Sequence, residues 1–114
     1  MNWKEYIQEA IDHTDGKWSL SDIEDRINKQ TAQLFMTNKS CAVVWVDEYP
    51  QKKALTVAFG GGDLNDILHY IPNMAEYAQL LGCNQVDVYG RPGWAKVLKK
   101  HNFKQTSVTM SLDV

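Results

Sequence analysis

Residues 55–63 read Leu-Thr-Val-Ala-Phe-Gly-Gly-Gly-Asp, and this stretch decides which fold the chain can adopt. Its first five residues are rich in β-branched and aromatic side chains, which is typical of a strand. The earlier run Cys41-Ala42-Val43-Val44-Trp45-Val46 is apolar throughout, which is typical of a strand buried on both faces. Because only a short polar link containing Pro50 separates the two runs, they are predicted to form an antiparallel hairpin.

A helix and a third strand are predicted after the glycines. The helix has an apolar stripe formed by Ile67, Leu68, Ile71, Ala75, Ala78 and Leu81. Pro72 either kinks this helix or opens a second helical segment, and Gly82 ends it. Residues 85–89 then alternate, with Val86 and Val88 on one face. A strand, helix and strand in this order predict two parallel strands joined by a right-handed crossover.

Both ends of the chain are predicted to add further elements. Apolar residues at helical spacing predict a first helix over 2–12 and a second that starts near Ser19 or Ser21 and ends near Met36. After the turn at 90–93 a short helix carries Trp94, and a last strand is predicted where apolar and polar residues alternate over 108–112. The predicted fold class is α/β, with residues 1–114 forming a single domain in the order α-α-β-β-α-β-α-β.

Composition excludes several classes of protein. Apolar residues make up 44% and charged residues 23% of the chain, which is the balance of a globular domain and not of a disordered one. A net charge of −2 argues against a nucleic-acid binder, which usually has a basic excess. The longest apolar run is far shorter than the roughly 20 residues that span a bilayer, and the first residues do not form a secretory signal. The expected location is therefore the cytoplasm, with no membrane contact.

The two cysteines, Cys41 and Cys83, have no second Cys or His nearby at metal-ligand spacing. They are predicted to be reduced thiols, buried or half-buried, and no metal site is expected.

The glycine-bounded strand ends are the predicted binding site. Ligands of open α/β sheets collect beyond the carboxyl ends of parallel strands, which here are Phe59 and Tyr89. Gly60, Gly61 and Gly62 either leave backbone N–H groups free for a phosphate or form a tight turn packed against a neighbour. Asp63 and Asp66 suit a helix N-terminus, but they would repel a phosphate placed there.

Three side chains beside these glycines have two interpretations each. Arg91 is either a clamp for a phosphate or carboxylate, or the ion-pair partner of an acid such as Asp87. Trp94 either stacks on an adenine or belongs to the core. Tyr89 is the candidate catalytic residue, since its hydroxyl can donate a proton if it faces the cleft.

The order of motifs in the second half of the chain resembles the core of the GNAT-type N-acetyltransferases. The resemblance rests on residues 75–83, on the strand Val86-Asp87-Val88-Tyr89, and on a helix followed by Asn102-Phe103. The segment Gly90-Arg91-Pro92-Gly93-Trp94 is still more similar to small GNAT-like proteins of tailed bacteriophages or prophages.

The resemblance implies a small GNAT-like fold, with a mixed sheet of about four or five strands and helices on both faces. It implies binding of acetyl-CoA or coenzyme A, in the cytoplasm of a bacterial host cell. The coenzyme-binding residues would be Val57, Phe59, Gly60, Gly61, Gly62 and Arg91. A backbone N–H of the strand that ends at Phe59 would polarise the thioester carbonyl.

The chain departs from the family pattern at several points, and two of them bear on the chemistry. The family's phosphate loop carries an Arg or Gln that residues 60–66 lack, and Leu98 stands where the family commonly has a tyrosine general acid. Two functions therefore stay open. The chain is either an acyl-CoA-dependent N-acyltransferase acting on a small amine or peptide, or an inactive scaffold that works by contact with a phage or host protein as an accessory, assembly or host-directed factor. An exposed edge strand also makes a homodimer an expectation.

Overall fold

The computed structural model describes residues 2–114. Over these residues the chain forms five helices and four strands: α1 (Trp3–Ile11), α2 (Leu20–Asn28), β1 (Gln33–Met36), β2 (Ser40–Glu48), β3 (Lys53–Gly62), α3 (Leu64–His69), α4 (Ile71–Leu80), β4 (Gln85–Val88) and α5 (Pro92–Lys99).

The strands form one mixed sheet in the order β1-β2-β3-β4. The pairs β1/β2 and β2/β3 are antiparallel, and β3/β4 is parallel. The predicted hairpin, the predicted parallel pair and the α/β fold class are thereby confirmed.

Helices cover both faces of this sheet. Cys41, Val43 and Trp45 of β2 point into a core formed with α1 and α2. The intervening residues Ala42 and Val44 point into a second core with Ala78 of α4. Because neither face of β2 meets water, its sequence is apolar at successive positions and does not alternate.

A β-bulge interrupts β3 at Ala58. Val43 pairs with Phe59 while its neighbour Val44 pairs with Val57, so Ala58 is the extra residue. Val57 therefore packs in the α4 core, whereas Ala58 and Phe59 both pack in the α1/α2 core.

The second helix is shorter than its sequence predicts. It ends at Asn28, and Gln33–Met36 forms strand β1 beside β2. The helix stops because Gln30 adopts a left-handed conformation with φ of 62°, and the N–H groups of Thr31 and Ala32 turn back to the carbonyl of Arg26. Leu34 and Phe35 continued the helical spacing by coincidence, so the prediction of a helix to Met36 was wrong.

Two further predictions have different outcomes. Pro72 lies in the first turn of α4, directly after the separate helix α3, so the interpretation of a second helical segment is confirmed. The predicted last strand over 108–112 is not formed, and residues 104–114 are all exposed. A strand needs a neighbouring ladder for its backbone groups, and none lies beside these residues in the single chain.

Both cysteines are free and buried, as predicted. Burial raises the pKa of the Cys41 thiol to about 11, which keeps it in the protonated, unreactive form. Among residues 2–114, no helix combines the length and apolarity needed to cross a membrane.

Candidate functional site

The three glycines extend β3 instead of ending it. Gly60, Gly61 and Gly62 pair with Ala42, Cys41 and Ser40 of β2. The prediction that the strand stops at Phe59 was therefore wrong, because the partner strand continues to offer backbone groups.

Strand β3 runs past the end of β4. The parallel ladder ends where Val57 pairs with Val88, and the N–H of Tyr89 donates to the carbonyl of Val57 at 3.0 Å. Residues 58–62 of β3 continue beyond this point without β4 beside them. We call the space between this extension and Gly90 the β3–β4 gap.

The indole of Trp94 stands in the β3–β4 gap. A β-carbon at Gly60 would lie 3.0 Å from Cη2 of Trp94, and one at Gly90 would lie 3.2 Å from its Cβ. The side chain is half-buried, so it neither belongs to the closed core nor is free in solvent. A β-carbon at either position would therefore press on the Trp94 side chain.

The other two glycines meet backbone. A β-carbon at Gly61 would overlap the carbonyl oxygen of Tyr6 in α1, and one at Gly62 would overlap the carbonyl oxygen of Lys39. Gly62 also has a φ of +99°, a conformation that side chains rarely adopt. Close packing therefore accounts for both glycines without a ligand.

The first turn of α3 is occupied by a carboxylate of the chain itself. Asp63 accepts the N–H groups of Asn65 at 2.9 Å and of Asp66 at 3.4 Å. These amides are the ones that a phosphate at this helix would use. A phosphate placed here would find these two amides already bonded, and the negative charge of Asp63 would repel it.

Asp66 ties α3 to the start of β2. Its carboxylate accepts the hydroxyls of Ser40 and Thr37, each at 2.5 Å. These two hydrogen bonds lower the pKa of Asp66, against the opposing effect of burial, and the charges of Lys39 and His69 lower it further. The carboxylate therefore positions the entry to β2 and stays ionised.

A polar surface lies beside the β3–β4 gap. Alternation along β4 places Asp87 and Tyr89 opposite Val86 and Val88, which pack on the α4 side. Asp47 accepts the hydroxyl of Thr56 at 2.6 Å, and Thr56 pairs in register with Asp87. We call Asp47, Tyr49, Asp87 and Tyr89 the acidic patch.

Tyr89 is held in its protonated form. The side chain is 59% exposed. Partial burial of its hydroxyl nevertheless raises its pKa to about 12, with further contributions from the Tyr49 hydroxyl and the charges of Asp47 and Asp87. Sequence reasoning singled out Tyr89 but missed Asp47 and Tyr49, which only the register of the hairpin brings to the same surface.

Arg91 pairs with an acid that the sequence did not indicate. Its guanidinium lies 3.7 Å from the carboxylate of Glu9 in α1, and its Cζ lies 5.8 Å from the centre of the Trp94 ring. Asp87 instead accepts the side-chain amide of Gln85 at 2.7 Å. Arg91 therefore links α1 to the mouth of the gap, a placement for which the sequence holds no local signal.

A separate apolar pocket of about 210 Å³ lies between the β1 end of the sheet and α4. Phe35 and Tyr77 close one side of it with their rings 5.3 Å apart. Its lining is mostly apolar but includes Thr37 and Ser40, whose hydroxyls donate to Asp66. Over residues 2–114 no group of three or more His, Cys, Asp or Glu side chains could hold a metal ion.

Solved structures, among them an acetyltransferase and a probable acetyltransferase, share this fold. A tetramutant of the BH1408 protein from Bacillus halodurans aligns with a TM-score of 0.63 and 11% identity over 95% of this chain and 84% of that one. An acetyltransferase from Trypanosoma brucei aligns with a TM-score of 0.59 and 14% identity, covering 99% of this chain and 96% of that one. A probable acetyltransferase aligns with a TM-score of 0.62 and 10% identity over 96% and 88% of the two chains.

Identities this low show the fold alone, which is GNAT-like, as the sequence resemblance implied. No protein-family model matches the chain, and no curated protein sequence matches it either.

Proposed function

We propose that this chain is a divergent N-acyltransferase that binds the acyl-pantetheine arm of an acyl-CoA in the β3–β4 gap. One observation carries the proposal. Beyond the Ala58 bulge, β3 continues past the end of β4, so one backbone edge of β3 is left unpaired there and an extended ligand can lie along it. An acyl-pantetheine arm is extended and carries amide groups, so it can bond to a strand edge much as a peptide does. Phe59 and the glycines belong to that edge, Val57 lies at its start in the last pair of the β4 ladder, and Arg91 lies at the mouth of the gap.

The acidic patch supplies the site for the second substrate. Asp47 and Asp87 attract a cationic amine, and their position beside the end of β4 brings that amine to the gap. A small amine or the amino group of a peptide fits this charge.

The reaction joins the two sites. The amine, after losing a proton to solvent, attacks the thioester carbonyl carbon, forming the C–N bond. The C–S bond then breaks, and the sulfur takes a proton from the Tyr89 hydroxyl. Tyr89 recovers a proton that the new amide nitrogen releases through solvent. The products are the amide and the free thiol.

The side-chain cap that Asp63 provides at the start of α3 affects which part of the acyl donor can be bound. Because Asp63 already accepts the amides of Asn65 and Asp66, these two N–H groups are not free for the pyrophosphate of the coenzyme. Binding is therefore expected to depend on the acyl-pantetheine arm. S-acetyl-pantetheine, which lacks the nucleotide, should bind about as well as acetyl-CoA.

The test is a thermal-shift titration with acetyl-CoA, coenzyme A and S-acetyl-pantetheine. A ligand at 100 times its dissociation constant stabilises the folded state by about 2.7 kcal/mol. No shift with any of the three at millimolar concentration would overturn the proposal.

The matched variants are Tyr89→Phe and Tyr70→Phe, since Tyr70 is also exposed but lies outside the acidic patch. Loss of a positioned proton donor lowers rates by about 10²–10⁴-fold. Tyr89→Phe should therefore lose turnover while keeping the thermal shift, and Tyr70→Phe should keep both. Equal turnover in the two variants would remove Tyr89 from the mechanism.

A second candidate function, that of an inactive scaffold, is favoured by the packing of the glycines. Gly61 and Gly62 are accounted for by packing alone, and Trp94 occupies the gap, which suits a fold kept as an inactive scaffold. Such a protein would act by contact with a phage or host protein as an accessory, assembly or host-directed factor in the cytoplasm. The titration above separates the two, because a scaffold gives no shift with any thioester.

A further inference from the structure

Residues 104–114, which we call the C-terminal segment, have a strand sequence but no strand partner. Val108, Met110 and Leu112 alternate with Thr109 and Ser111. In an extended chain this period of two places the apolar side chains on one face. Met110 is 90% exposed and Leu112 is 86% exposed, so the single chain leaves this face in water.

Among residues 2–114, strand β4 has no neighbouring strand on its outer side. It is the last strand in the order β1-β2-β3-β4. The N–H of Tyr89 points inward to Val57, and ladder groups alternate along a strand. The backbone groups of Val86 and Val88 therefore point outward, to the open edge. An open strand edge presents unpaired N–H and C=O groups, which can pair with a further strand.

The two sequences match in pattern. In β4 the apolar Val86 and Val88 pack on the α4 side, while Asp87 faces the opposite side. A strand that places Val108, Met110 and Leu112 on the α4 side continues that apolar face and leaves Thr109 and Ser111 beside Asp87. The other edge strand, β1, exposes the consecutive residues Phe35 and Met36 and lacks this alternation.

We infer that the C-terminal segment of one copy adds as a strand to β4 of a second copy, and that reciprocal exchange forms a two-fold dimer. Every residue of the segment is exposed in the chain that carries it, so the segment lies clear of its own sheet. Exchange pairs the β4 edge of each copy with the C-terminal segment of the other, so no further copy can add at these positions and the assembly stops at two chains.

Sedimentation velocity tests the dimer, whose mass should be twice the 13.0 kDa of one chain. Met110→Gln with Leu112→Gln should yield monomers, because the apolar face is lost. The matched variant, Thr109→Gln with Ser111→Gln, changes the polar face of the same segment and should stay dimeric. A wild-type monomer at all concentrations, or a dimer that survives the apolar-face substitutions, would overturn the inference.

Two more variants guard against misfolding and test the exchange itself. Val88→Pro removes an outward N–H and leaves the inward ladder intact, so it should weaken the dimer with the helical circular dichroism unchanged. Copies carrying Thr109→Cys, mixed with copies carrying Asp87→Cys, should form a covalent heterodimer on oxidation. A single chain carrying both substitutions that cross-links within itself as a monomer would show that the segment folds onto its own sheet and would contradict exchange.

Discussion

The indole of Trp94 lies against the backbone of Gly60, so closely that a β-carbon at residue 60 would stand 3.0 Å from Cη2. The ring therefore occupies the space that the proposed acyl donor needs. Ligand binding requires the ring to move, and the free energy of moving it opposes binding.

Replacing Trp94 with alanine should strengthen the response to acetyl-CoA, because the variant needs no ring displacement. The free energy of unfolding should fall by about 2 kcal/mol, less than for a fully buried tryptophan. Trp3→Ala is the control, since Trp3 is also a half-buried tryptophan and packs against the α1/α2 core. Calorimetric titration gives the dissociation constants, and a weaker response in Trp94→Ala would mean that the ring contacts the ligand instead of blocking it.

Gly61→Ala should destabilise the protein by about 1–3 kcal/mol, because its β-carbon overlaps a backbone carbonyl that cannot move aside easily. Gly93→Ala is the matched control. A β-carbon there meets nothing within 4 Å, and alanine favours the helix by up to about 1 kcal/mol. Urea unfolding measures both changes, and equal stability of the two variants would contradict the packing explanation for Gly61.

Asp66→Asn should destabilise the protein at neutral pH and have a smaller effect in acid. The pKa of Asp66 is lowered in the folded state, so its stabilising effect is complete above the unfolded value near 3.9. The effect is lost as the pH falls through the lower folded pKa. Unfolding curves at pH 7 and pH 3 check this, with Asp25→Asn as an exposed control. A destabilisation by Asp66→Asn that does not change with pH would point to lost packing instead of lost charge.

Arg26→Gln should lower the free energy of unfolding by about 1 kcal/mol, since the guanidinium carbon lies 3.8 Å from the centre of the Trp45 ring. Lys29→Gln removes an exposed helical ion pair with Asp25 and should cost at most about 0.5 kcal/mol. Tryptophan fluorescence during unfolding reports both variants, and the prediction fails if Lys29→Gln costs as much as Arg26→Gln.

Turnover should not decline between pH 8 and 10, where an ordinary tyrosine begins to ionise. The pKa of Tyr89 is raised to about 12, so its hydroxyl keeps its proton throughout this range. The raised pKa also stabilises the fold below pH 10, and this contribution disappears as the pH rises from 10 to 12. Tyrosinate absorbance of wild type against Tyr89→Phe follows the ionisation. A difference spectrum that appears at pH 10 or below would be the contrary result.

The central strands could be predicted because their cause is local. The run 41–46 is apolar at every position, and a short polar link joins it to the next strand. These features specify a buried hairpin without knowledge of the rest of the chain. The strand–helix–strand unit ending at Tyr89 follows in the same way from the right-handed crossover rule.

The glycines could not be interpreted from sequence because their neighbours are distant along the chain. The backbone of Tyr6 leaves no space for a side chain at residue 61, and the Trp94 ring lies closest to residue 60. The same holds for Arg91, whose partner is Glu9. A tertiary contact decides each of these cases, and no spacing rule reports it. The helical prediction for residues 33–36 failed for a different reason. Left-handed turns are usually recognised by a glycine or asparagine at the turning residue, and here that residue is Gln30.

The bulge at Ala58 determines which face of the sheet each later side chain of β3 points to. If β3 kept all its residues but paired with β2 without the bulge, Phe59 would face α4, Gly60 would face α1, and Gly61 would turn toward Trp94. Deleting Ala58 itself would place Phe59 directly after Val57 and keep the present faces of residues 59–62, whereas a one-residue deletion between Phe59 and Gly62 would exchange the faces of the residues on one side of it. Any length variation tolerated along β3 should therefore fall at the bulge residue Ala58 or outside the strand, and not elsewhere within it.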